Sequence, residues 1–294
     1  MATLPTLLLN DQTKIPMIGF GTGTAWYKKD PSAPLDRDLI ESIKTAIKLG
    51  YIHLDGAEVY NTEPELGVAI KESGVRRDQL YVVTKVMHGV NDIPSSFNES
   101  LKKLGLDYVD LYLIHSPFFA DSDADFRRTW SDMETIKKSG RAKSIGVSNY
   151  LPKHLEPLLE TATIWPSINQ IEYHPYLQHG PSDLVAFHQK NNIALSAYGP
   201  LTAVTKAKPG PADDVYASLA KKYGVTEGQI ALRWCMDQGI VPITTSSKES
   251  RMKEYLSALE FKLTPEEVQE ISKAGANKLF RGFWKHKFDS DDGS

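Results

Sequence analysis

The segments YIHLD (51–55), YVVTKV (81–86) and YVDLYLI (108–114), with the residues that follow each, decide the fold. Each is short, rich in β-branched and aromatic residues, and nearly continuous in apolar character, as strands buried on both faces must be. Polar residues cluster toward the same end of all three: Asp55 closes the first, Lys85 lies late in the second, and His115 follows the third. Between them, residues 64–73 and 94–104 carry apolar positions at three- and four-residue spacing, which predicts amphipathic helices.

The alternation extends outward in both directions. A shorter strand at 18–21 comes first, and further strands are predicted at 144–148, 167–172, 194–198 and 240–244. Helical spacing marks 36–49, 126–138, 152–160, 183–191, 215–223, 227–237, 248–258 and 265–274. Gly50, Gly74, Gly105, Gly140 and Gly224 each follow a helical run, where a left-handed residue ends a helix well. Eight strand-then-helix units predict a (β/α)8 TIM barrel, an α/β fold, with an extra helix and loop near the C-terminus. Residues 7–9 and 15–17, around Asn10–Asp11, read as an N-terminal β-hairpin able to plug the barrel's bottom. A doubly wound open sheet shares the same local pattern, and repetition alone does not separate the two. The stretch AKPGPA (207–212) reads as a surface loop, the acidic tail 289–294 as frayed, and residues 1–294 as one domain.

Composition narrows the class. With 41% apolar and 24% charged residues the chain reads as an ordinary globular protein, and a formal charge of −3 gives no reason to expect nucleic acid or an anionic membrane. No run approaches the ~20 apolar residues of a membrane span. Residues 1–10 lack the basic region and cleavage site of a leader. The single cysteine, Cys235, lies in an apolar helical pattern and reads as a buried structural thiol. A cytoplasmic monomer is the expectation. No cluster has metal-ligand spacing, so no metal is expected.

In a barrel of this kind, working side chains come from the C-terminal ends of the strands and the loops beyond them. Asp55, Lys85 and His115 fall there, and Tyr60 lies in the loop just after Asp55. Singly, Asp55 reads equally well as a helix cap, Tyr60 as loop packing and His115 as a backbone partner. Lys85 is harder to dismiss, because a lysine inside an apolar strand needs a carboxylate to stay charged, and Asp55 is the neighbouring one. Such a set suits addition of hydride to a carbonyl, where the alkoxide must be protonated as it forms. Tyrosine, with a free pKa of ~10, is a weak acid that a nearby ammonium can strengthen. His115 can then place the carbonyl oxygen.

The runs GFGT (19–22), LDGAEVY (54–60), TKV (84–86), DLYLIHSP (110–117), IGVSNY (145–150), NQIEYHP (169–175), YGPL (198–201) and ALRW (231–234) resemble the aldo-keto reductase superfamily, in family order over nearly the whole chain. The resemblance implies a catalytic tetrad of Asp55, Tyr60, Lys85 and His115, and a nicotinamide cofactor bound extended without a Rossmann domain. It implies that Ser148, Asn149 and Gln170 bond the carboxamide and that Tyr198 stacks on the ring, with Gly21, Thr22, Gly199 and Leu201 beside the cofactor. The Gly-rich run 19–23 lacks the full dinucleotide fingerprint and fits a tight first turn better.

In PITTSSKESR (242–251), the lysine common directly after the family's proline is displaced to Lys248. Thr244, Thr245, Ser246 and Ser247 then offer hydroxyl donors, and Lys248 and Arg251 offer charge, to a 2′-phosphate. NADPH is the expected cofactor. The same residues also read as the N-terminus of a helix, with Ser246 or Ser247 as its cap. The pattern resembles fungal reductases of the conjugated-polyketone type. Trp26, Phe118 and Phe119 are candidates for an apolar substrate wall. His115–Ser116–Pro117 replaces the family's His-Trp-Pro, and Met87–His88 stand where a further tryptophan is common, which points to bulky ketones, dicarbonyls or keto lactones as small-molecule substrates. Two other readings remain at this level: a cofactor-binding regulatory subunit with little turnover, and a Schiff-base lyase built on Lys85.

Overall fold

In a computed structural model, which describes residues 4–294, the last strand of the chain lies parallel beside the first: Ile243 pairs with Gly19 and Thr244 with Phe20. Residues 1–3, which carry part of the leader reading, lie outside the described residues. That pairing closes the sheet and decides against the open alternative. The barrel strands are β3 (Gly19–Gly21), β4 (His53–Asp55), β5 (Tyr81–Val86), β6 (Val109–Ile114), β7 (Ala142–Ser148), β8 (Ile168–Glu172), β9 (Ala194–Tyr198) and β10 (Ile240–Thr244), each beside its sequence neighbour.

Around the barrel stand α1 (Arg37–Leu49), α2 (Glu63–Ser73), α3 (Ile93–Leu104), α4 (Asp123–Lys138), α5 (Pro152–Leu159) and α6 (Leu184–Lys190). They are followed by α7 (Asp213–Tyr223), α8 (Glu227–Met236), α9 (Glu249–Leu256) and α10 (Pro265–Gly275). Two helices, α7 and α8, separate β9 from β10, so the departure from eight units is larger than one terminal helix. Helix α4 begins at Asp123, ahead of the predicted 126, because Asp125 accepts both the amide (3.0 Å) and the hydroxyl (2.9 Å) of Ser122 and fixes the first turn there. All five stop glycines adopt positive φ, as their position after a helix requires.

Two layers of apolar packing hold the barrel. Outward residues such as Val82, Tyr112, Ile145 and Val147 pack against Leu39, Ile43, Phe97 and Trp130 of the helices. Inward residues Tyr81, Val83, Leu111, Leu113, Ile168, Val241 and Ile243 fill the barrel's interior. The hairpin β1 (Thr6–Leu8) and β2 (Lys14–Pro16) adds Leu9 and Ile15 to that interior cluster. Burial of each stabilises by about 1.5–3 kcal/mol. Asp11 ties the hairpin down, accepting from Lys137 Nζ (2.7 Å) and Ser144 Oγ (2.8 Å).

Three expectations change. The tail is not frayed: Arg281 donates to the carbonyls of Asp292 and Ser294, and Ser294 N donates to Asp292 Oδ1. The loop 207–212 is exposed only in its middle, since Ala207 and Ala212 are buried and Lys278 Nζ donates to the carbonyls of Ala207 and Pro209. Neither serine caps α9; Ser246 Oγ instead accepts from Lys248 N, one residue before the helix, and Lys248 occupies the cap position without a side-chain bond. Cys235 is fully buried, and burial raises its thiol pKa, so it is held as the thiol. Among the described residues no helix is long and apolar enough to cross a membrane.

Candidate active site

Strand alternation builds the site. Side chains of alternate residues face the interior, so the rows His53–Asp55, Tyr81–Val83–Lys85 and Leu111–Leu113–His115 run up adjacent strands toward one end. In the lower part of these rows the residues are mostly apolar; at the top they become Asp55, Lys85 and His115. Gln170 continues the row of Ile168 in the same way.

Lys85 is fully buried, and its ammonium donates to Asp55 Oδ1 (2.6 Å) and to the Gly56 carbonyl (2.8 Å). Asp55 Oδ2 accepts from Gln170 Nε2 at 2.9 Å, so both carboxylate oxygens are partnered. Burial opposes the charge on Lys85, but Asp55 and Tyr60 outweigh it and hold the ammonium's pKa above its ordinary value. The Lys85 ammonium lies 5.2 Å from the centre of the Tyr60 ring. Tyr60 Oη meets His115 Nε2 at 3.5 Å, with the two rings edge to face.

The direction of the Tyr60 shift is a correction. Lys85 does pull the phenol's pKa down, but burial is the larger influence and Asp55 adds to it, so the net shift is upward. Tyr60 is therefore kept as the phenol, a loaded proton donor. Burial, reinforced by the charge of Lys85 and by His88, pushes His115 well below its ordinary pKa, so the imidazole is neutral. Its Nδ1 has no hydrogen-bond partner.

Beside this group, a chain of hydrogen bonds joins the residues expected to hold a nicotinamide. Tyr198 Oη donates to Asn149 Oδ1 (2.6 Å), Asn149 Nδ2 to Ser148 Oγ (3.0 Å) and to the His115 carbonyl (2.9 Å), and Ser148 Oγ to the Gln170 carbonyl (2.7 Å). A cleft of about 350 Å³ opens beside them; Gln170 and Tyr198 line it, while Ser148, which is buried, and Asn149 do not. Its walls include Gly21, Asp55, Tyr60, Gln170, Tyr198, Gly199 and Leu201, together with Thr244, Thr245, Arg251 and Tyr255.

Several candidates stand elsewhere. Thr22 is buried beneath the site, with its hydroxyl on the Asp55 carbonyl (3.2 Å). Ser246, Ser247 and Lys248 are not among the residues that line the cleft. Trp26 does not join Phe118 and Phe119; its indole donates to Thr245 Oγ1 (3.1 Å), on the cleft side. Phe118 and Phe119 line a second cavity, of about 220 Å³, with Met87, His88, Ser116 and Trp284.

Lys206 and Glu172 were missed; Phe283 and Trp284 belong to the segment FRGFWKHKF (280–288), which the sequence shows as aromatic and basic, able to cover the barrel, to contribute to specificity or to pack on the outer surface. Phe283 and Lys206 reach the cleft from irregular segments whose spacing carries no period. Glu172 had a signal: it stands two residues beyond Gln170 on a strand, and so faces the same way.

Comparison with known proteins agrees with this geometry. Residues 17–276 match the model of the Aldo/keto reductase family. The chain is 43% identical to the NAD/NADP-dependent indole-3-acetaldehyde reductase of Schizosaccharomyces pombe, over 93% of this chain and 96% of that protein. It is 39% identical to the NADPH-dependent alpha-keto amide reductase of Saccharomyces cerevisiae, over 94% and 93%. The crystal structure of a Bombyx mori aldo-keto reductase in complex with NADP superposes with a TM-score of 0.83 at 37% identity, covering 93% of this chain and 94% of that one. A buried Asp–Lys pair under a tyrosine and a neutral histidine, at the C-terminal end of a closed eight-stranded barrel, thus coincides with sequence likeness along nearly the whole length, and the chain belongs to the aldo/keto reductase family.

Proposed function

We propose that this protein reduces an aldehyde or an activated ketone to the alcohol with NADPH, with Tyr60 as the proton donor. The observation that carries the reading is the Tyr60 phenol between the Lys85–Asp55 pair and the neutral His115, beside a cleft of about 350 Å³. The cleft fits that group: Gln170, Tyr60 and Tyr198 bring amide and hydroxyl groups to its wall, and Arg251, Thr244 and Thr245 bring charge and donors that suit a 2′-phosphate. Relatives named for NADP or NADPH support the choice. When bound, NADPH supplies the hydride.

The chain's own residues do the rest. In the tautomer with its proton on Nε2, His115 donates to the carbonyl oxygen and turns it toward Tyr60. Tyr60 gives up its proton as negative charge develops on that oxygen, and a C–OH is formed. The phenolate left behind is stabilised by the Lys85 ammonium, which Asp55 keeps charged, until solvent returns the proton. Gln170 restrains the free oxygen of Asp55.

The substrate reading is a dicarbonyl, keto lactone or bulky ketone, supported by the missing tryptophans near His115 and by relatives named for an aldehyde and an α-keto amide. No observation favours a regulatory subunit or a lyase. A cytoplasmic monomer remains our reading, supported by the lone buried thiol Cys235 and checked by size-exclusion chromatography. Among the described residues no group of three or more His, Cys, Asp or Glu is placed to hold a metal ion.

Tyr60→Phe tests the mechanism. NADPH oxidation with an α-dicarbonyl should fall by about 10²–10⁴, while NADPH binding, followed by fluorescence, stays close to that of the parent. Normal turnover in that variant would remove Tyr60 as the donor.

A further inference from the structure

Resting on the reductase reading, we propose that Glu172 is a positioning residue: it holds the aromatic strap 280–288 against the reaction site and so sets which carbonyl compounds are well bound. Glu172 ends β8 and is 2% exposed. One carboxylate oxygen accepts from Gly282 N at 2.7 Å, the other from Phe283 N at 3.0 Å, and His174 Nε2 approaches the first at 3.1 Å. A buried carboxylate must find donors, and this one finds two of them on the backbone of a segment more than a hundred residues away in sequence. A β-carbon at residue 282 would lie 2.9 Å from the Glu172 oxygen, so a larger residue there would shift the carboxylate against the strap amides.

The two side chains that follow the latch serve the two cavities. Phe283 lines the cofactor cleft, stands edge-on to Tyr198 at 5.1 Å, and carries the Lys206 ammonium 5.1 Å from its ring centre. Trp284 lines the second cavity, 6.4 Å from the His115 ring and 5.1 Å from Phe118. Its φ of 56° is in the left-handed region, which a bulky residue adopts only where its surroundings impose it. The bonds to Glu172 immediately before it are that restraint. Glu172 touches neither reaction partner itself; it acts through the aromatic wall that Trp284 and Phe118 form next to His115.

The test uses Glu172→Ala, Gly282→Ala and the double variant, with NADPH and two probes of different size, glyoxal and phenylglyoxal. Gly282→Ala keeps the carboxylate but shifts it against the strap amides, without altering any residue of the barrel strands. Loss of hydrogen bonds to a charged group predicts a rise of roughly tenfold in KM for phenylglyoxal, with KM for glyoxal nearly unchanged. The double variant should be no worse than the weaker single one, because both break the same contact. Trypsin should also cut faster after Lys285 or Lys287 in each variant than in the parent. Equal changes for both probes, multiplied effects in the double variant, or unchanged cleavage would overturn the proposal. If the parent protein oxidised no NADPH with either probe, the reductase reading would fall, while the cleavage rates would still judge the latch.

Discussion

Lys85 and Asp55 show how much a single pair of charges can govern. Both are buried, and each is tolerable only because the other is 2.6 Å away. Removing one member of such a pair costs about 3–5 kcal/mol, whereas replacing both by neutral groups of similar shape costs much less. Lys85→Met should therefore lower stability more than the combined Asp55→Asn, Lys85→Met change, as read from urea denaturation. Simple addition of the two single penalties would show that the pair is not coupled. The lysine was legible as a costly residue in the sequence because desolvation of a charge depends on its immediate surroundings, which an apolar strand already declares. The net direction of the Tyr60 shift was not legible, because it depends on how completely neighbouring strands and loops bury the phenol.

At the scale of elements, most strands and helices follow from local pattern, since buried parallel strands and amphipathic helices carry their periods in the residues themselves. What local pattern omits is pairing. Closure through Ile243 and Gly19 joins the two ends of the barrel across more than two hundred residues, and no short-range signal encodes it. The aromatic, basic composition of the strap leaves its place open, because that place is fixed by a glutamate far away in sequence. Tyr198 and Asn149 are candidates through family likeness rather than chemistry, since a tyrosine ending a strand is ordinary core by itself. Strand β7 offers a sharp test of element packing. A β-carbon on Gly146 would come 2.4 Å from the Ile168 carbonyl, which neither strand can yield without moving. Gly146→Ala should cost about 1–3 kcal/mol and push Ser148 away from Gln170, weakening NADPH binding as well as stability. Calorimetry and a cofactor titration check both; a variant as stable as the parent would mean β7 and β8 are less tightly packed than described.

For the molecule as a whole, buried histidines predict its response to acid. Burial pushes His53, His179 and His188 down to about 4 and His115 well below its ordinary value, and partial burial pushes His154 to about 4. These groups are neutral in the folded chain, while in the unfolded chain they take up protons near their ordinary pKa of 6.5. Their contribution is intact above that pH and is lost as pH falls from 6.5 toward 4, since the unfolded state then binds more protons. The urea midpoint should decline steadily through that window. A flat profile between pH 7 and 4.5 would contradict the burial of these rings.

The join between β10 and β3 has a consequence outside catalysis. It rests on two residue pairs, and the proposed cofactor cleft is lined from both sides of it, by Gly21, Gly23 and Thr24 on one and by Ile243, Thr244, Thr245 and Arg251 on the other. A molecule seated there spans the seam like a fastener across two panels. At a hundredfold excess over its Kd, such a ligand adds about 2.7 kcal/mol to stability. Pulse proteolysis with and without NADPH should show the difference, and equal survival would argue against a seam-spanning ligand. In a cell, the lifetime of this enzyme would then follow the size of the whole NADP(H) pool, because the oxidised and reduced forms would hold the same seam closed.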